Sequence, residues 1–149
     1  MTPVVVAVAA CVAMLLAGQA LAAPAASAAS VPAPERGKRI FHGLDAVPAT
    51  VQQHGTLLPA HVSRCINCHS AYTPSGAWPG NAQYLSATTL SSKISRRGGP
   101  AYRYDQPTFC ATIRTGVDPA AIMLEAKMPR YRMSDAQCAD LWFYLSGIR

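Results

Sequence analysis

Residues 64–70 read Arg64-Cys65-Ile66-Asn67-Cys68-His69-Ser70: two cysteines three positions apart, with a histidine directly after the second. Three chemistries use such a pair. Zinc takes four ligands, usually as two closely spaced pairs. Here Cys65, Cys68 and His69 supply three, adjacent Cys68 and His69 rarely share one tetrahedral ion, and Cys110 and Cys138 are not a second C-x-x-C. A thioredoxin-type dithiol follows a strand and opens a helix within a βαβ pattern, and no such pattern surrounds residue 65. A Cys65–Cys68 disulfide closes too short a loop to gain much entropy. The third chemistry is covalent haem, whose c-type attachment signature is C-x-x-C-H. Two thioethers from one helical turn anchor the porphyrin edge, and the next residue brings its imidazole to the iron. This reading makes Cys65 and Cys68 the attachment points and His69 the proximal iron ligand.

The N-terminal sequence suits that chemistry, because haem is attached outside the cytoplasm. Residues 1–30 carry no charged side chain, Val4–Leu16 is apolar, and Ala20-Leu21-Ala22 offers an A-x-A cleavage pattern. The expected organisation is a signal peptide over 1–22, a flexible Ala/Pro/Ser-rich leader over 23–33 and one domain over 34–149, in the periplasm. The alternative is an uncleaved anchor over residues 4–23, since about 20 apolar residues span a bilayer; only then is membrane contact expected. In an oxidising compartment free thiols pair, so Cys110 and Cys138 are expected to form a disulfide. Thirteen Lys and Arg against seven Asp and Glu give a formal charge of +6, all at or after Glu35. An exported chain with no binding motif argues against nucleic acid. The surplus suits a redox protein partner with an acidic docking surface, with Lys93, Arg96, Arg97 and Arg103 as steering candidates.

Local signals predict mostly helices. Pro34 to Gly43 reads as a short helix with proline at its start and glycine at its stop. Thr88 to Arg97 reads as a second, ended by Gly98-Gly99-Pro100, and Pro107 to Thr115 as a third with Gly116 as C-cap. Ser134 and Gln137 form a capping box for the last helix, along which Cys138, Leu141, Trp142 and Leu145 make an apolar stripe. Residues 49–58 suggest a small hairpin closed at His54-Gly55. Residues 71–87 and 117–133 read as loop.

Four segments in this order resemble the class I c-type cytochromes: PERGKRIFHG (34–43), with glycine and an aromatic at Gly37 and Phe41; CINCH (65–69); KMPRY (127–131); and the helix from Ser134 through Leu145. The resemblance spans most of residues 34–149. It implies an all-α cytochrome c-like fold of four to five short helices around one covalent haem c, with histidine and methionine on the iron and an electron-transfer role rather than an enzymatic one. Met128, which precedes a proline in a loop, matches the methionine that supplies the distal iron ligand. Met133 is the second choice, with a competing role packing under the last helix; Met123 sits in an apolar patch. His42, His54 and His61 are weaker rivals. Trp78, Tyr102, Tyr104 and Arg103 are candidates for contacts to the haem edge and propionates. A thioether ligand raises the potential relative to two histidines. The chain departs from the family in its long gap over 44–64, in Ser70 where glycine is frequent, and in the Cys110/Cys138 pair. Alternative roles are a haem subunit of a larger dehydrogenase or oxidase, and a haem enzyme or sensor with a displaceable distal ligand.

Overall fold

A computed structural model of the chain describes residues 33–52, 54–69 and 84–148. The expected signal peptide and most of the leader, the loop through residue 83, Ser70 and Trp78 lie outside the described residues. Helix α1 (Ala33–His42) forms where Pro34 and Glu35 open the first turn and Arg39 and His42 close the last, a charge order that suits the helix dipole. Gly43 follows at φ 72°. Helix α5 (Asp135–Gly147) starts at the Ser134–Gln137 capping box and buries Cys138, Leu141 and Leu145.

These two helices, from opposite ends of the domain, cross at Gly37. A Cβ at that position would fall 2.6 Å from the Asp140 carbonyl carbon and 2.7 Å from the Tyr144 Cβ, so only glycine permits this approach. Arg36 forks onto both Asp140 carboxylate oxygens at 2.6 and 2.7 Å. The Phe41 and Tyr144 rings pack 5.6 Å apart. Helix α4 (Gln106–Thr115) has its own capping box at Asp105 and Thr108, with Gly116 as a left-handed C-cap. A disulfide joins its Cys110 to Cys138 of α5, with Cα atoms 5.9 Å apart. The core then fills with Ile40, Phe41, Phe109, Ile113, Leu141 and Leu145.

Two expectations are corrected. The fold is not all-α: among the described residues, beside five helices, two-residue strands β1 (Ala49–Thr50) and β2 (Arg130–Tyr131) pair antiparallel, Ala49 opposite Tyr131 and Thr50 opposite Arg130. Residues 49–58 do fold back as a small hairpin, with Thr50 bridging to Leu57 and the Leu58 amide donating to the Ala49 carbonyl at 2.8 Å, and β1 pairs in addition with the distant 130–131 segment. Strands this short carry no alternating pattern, so tertiary contact alone sets the pairing. The helix expected over 88–97 is shorter: α3 spans Ala87–Ser91, capped by Ser86. Arg96 ends it, because its guanidinium turns back onto the Thr89 carbonyl and onto the Tyr102 carbonyl at 2.7 Å. Beyond it the chain runs extended, and Ile94 bridges to Tyr102. Among the described residues no helix is long and apolar enough to cross a membrane.

Candidate cofactor site

The CINCH motif starts at Cys65 and continues through α2 (Ile66–His69), a single turn held from outside. Asn67, a spacer residue between the cysteines, donates its side-chain amide to the carbonyls of His61 at 2.9 Å and Val62 at 3.1 Å. Arg64 Nε donates to the same His61 carbonyl at 3.1 Å. The buried Tyr131 hydroxyl donates to the Ser63 carbonyl at 2.6 Å. Thus the approach to the motif is pinned both locally and to β2. Cys65 and Cys68 are free thiols, Cys65 half-buried and Cys68 exposed. Burial pushes the Cys65 thiol up to about 11, against an opposing contact from the Tyr131 hydroxyl. An activated redox cysteine has its thiol lowered instead.

Cys65, Cys68 and His69 line one side-chain cavity of about 570 Å³ together with Met128 and Met133. Its walls are largely apolar, from Phe41, Leu90, Phe109, Ile113, Leu141 and Leu145. His69 Nε2 is shielded from solvent. Of the histidines considered, only His69 lines the cavity; His54 and His61 are exposed. Met123 is 58% exposed and takes a contact from the Gln52 amide, so Met128 and Met133 are the thioethers the fold brings to the cavity. Met133 is buried and its carbonyl accepts from Arg114. Among the described residues no three His, Cys, Asp or Glu side chains gather to hold a metal.

A polar cluster borders this cavity. Asp118, whose side chain is fully buried, accepts from Arg97, from the Tyr102 hydroxyl at 2.8 Å and from the Ala120 and Ile122 amides, both at 2.9 Å. Burial alone would raise its carboxyl, but the Ile122 amide, Tyr102 and Arg97 together hold it below the ordinary carboxylate range. Arg96 lines the cavity with its guanidinium over the rings of Tyr102 and Tyr104, 4.7 and 5.3 Å from their centroids. Because Arg96 is buried and Arg97 is paired, they are poor steering groups; Lys93 and Arg103 remain exposed. Tyr104 lines the cavity, while Tyr102 and Arg103 do not.

Asn67, Asp118, Arg130 and Gln52 gave no signal in the sequence. Each acts through a contact to backbone or to a residue distant in the chain, and no short spacing announces such contacts. No protein-family model, no curated protein and no solved structure matches this chain.

Proposed function

We propose that residues 34–149 hold one covalently bound haem c and pass single electrons between protein partners outside the cytoplasm. The observation that carries this reading is the shared cavity: the CINCH turn and Met128 open into one largely apolar space. Cys65 and Cys68 would hold the group covalently, each thiol S–H adding across a vinyl group so that the sulfur bonds one carbon and the hydrogen the other, with no oxidant or reductant required. His69 and Met128, which line the same cavity, would hold the iron of the bound group. The bound group supplies a one-electron iron couple, and its ligands and burial tune the potential. The chain surrounds the group with Phe41, Phe109 and Leu141, fixes the imidazole through the α2 turn, and offers the Met128 thioether as a second ligand. With Met128 holding the iron, no position would be open to a substrate, which favours a carrier over an enzyme or sensor. The charge of +6, with Lys93 and Arg103 exposed, suits an acidic redox partner.

The test is expression with haem-attachment machinery, followed by a haem stain of the denatured chain and a spectrum of the oxidised protein. The expected result is one covalent haem and a near-infrared methionine–iron band. That band is lost in Met128→Ala and kept in Met133→Leu. A high-spin spectrum would favour the enzyme or sensor, and a denatured chain without haem would falsify the whole reading.

A further inference from the structure

Arg130 is buried at 8% exposure, and among the described residues its bonds go to neutral acceptors rather than to a carboxylate. Its Nη1 donates to the Met128 carbonyl at 2.5 Å. Its Nη2 donates to the Gln52 side-chain carbonyl and reaches the Leu124 carbonyl at 3.5 Å. One planar fork thus holds both ends of the 124–128 segment and ties it to a residue of the long 44–64 gap. Lysine, a point charge on a flexible stem, cannot reproduce that fork. Arg130 is buried, so each lost acceptor leaves a desolvated cation less compensated.

The surrounding backbone is arranged around this side chain. Thr50 pairs with Arg130 across the two strands, which places Gln52 two residues beyond the pair. Gly116 sits against the guanidinium, where any Cβ would collide with it, and its φ of 76° suits glycine for a second reason. Its carbonyl accepts from the Leu124 amide at 2.7 Å, and the Glu125 carbonyl accepts from the Met128 amide at 2.9 Å.

Resting on the haem reading above, we propose that Arg130, tethered by Gln52, is a positioning residue for the axial thioether of Met128, and that the 44–64 segment is the strap that resists its displacement. For the Met128 sulfur to leave the iron, the 124–130 segment must swing. That movement breaks the Arg130 bonds to the Met128 and Leu124 carbonyls. A strap anchored on Gln52 holds the guanidinium, and so the carbonyls, in place.

The experiment titrates the oxidised holoprotein with imidazole and follows loss of the near-infrared band. Gln52→Leu is expected to bind imidazole about tenfold more tightly at unchanged haem content, since a hydrogen bond to a charged group is removed. Arg130→Lys is expected to bind it more tightly still. Asp45→Ala, at the other end of the same segment and in an exposed pair with Arg39, is expected to behave as wild type. Wild-type imidazole affinity in Gln52→Leu overturns the proposal, even if Arg130→Lys fails to accumulate. A wild-type protein lacking the band overturns both this proposal and the haem reading. An intact wild-type band with unchanged variants overturns the strap alone.

Discussion

The crossing of α1 and α5 and the bracket around Met128 hold the two sides of the cavity by different means. The crossing is built from helix periodicity, two capped ends and one glycine where backbones touch. The bracket is built from two residue pairs of sheet, one buried guanidinium and a glycine at positive φ. The first distributes its hold over a broad apolar seam, so disturbing it should lower global stability. The second concentrates its hold in a few polar contacts, so disturbing it should release the 124–130 segment while the frame persists.

The largest expected effect tests whether the disulfide belongs to the frame or to both regions. Replacing Cys110 and Cys138 by serine should lower unfolding stability by about 3.6 kcal/mol for a separation of 28 residues, read from urea midpoints. The closed loop contains Met128. If reduction also weakens the methionine–iron band, the bridge serves both regions; an unchanged band confines it to the frame. Next, Gly37→Ala should cost about 2–3 kcal/mol through overpacking, despite the gain of up to about 1 kcal/mol in helix propensity. A stabilised variant would show that the seam yields, and the contrast between the regions would collapse.

Gly116→Ala should cost about 1–3 kcal/mol for the left-handed backbone. Unlike Gly37→Ala, it should also raise imidazole affinity, because it displaces Arg130. Asp118 adds a pH term. Its folded carboxyl lies below the unfolded value of about 3.9, so its stabilisation is full above that value and disappears as pH falls through the depressed folded value. Melting temperature should therefore drop on acidification below about pH 4, and Asp118→Asn should flatten that part of the curve. The smallest effect is expected at Arg39→Ala, whose exposed pairing with Asp45 should leave the urea midpoint unchanged.

The same contrast explains what was legible in the sequence. Ser134, Gln137, Gly37 and Gly116 announce α5, the crossing and the end of α4 because caps and close approaches demand particular residue types. The C-x-x-C-H spacing of residues 65–69 stands out for the same reason. Strand β1 and the true end of α3 were not readable. Ala49-Thr50 has no period, and Arg96 ends α3 by a side-chain contact to carbonyls that no local rule encodes. Gln52 and Arg130 look like ordinary surface residues until Thr50 is set opposite Arg130.

The ion pair between Arg36 and Asp140 joins residues 104 positions apart. A chain made and delivered from its N-terminus presents Cys65 and Cys68 long before Asp140 exists. The seam between α1 and α5 can therefore close only after the last helix arrives, and contacts so distant in sequence form late. During that interval both thiols lie on an open chain. The architecture thus keeps the two thiols accessible by timing, and a chain cut short before residue 135 should remain sensitive to proteases along its length.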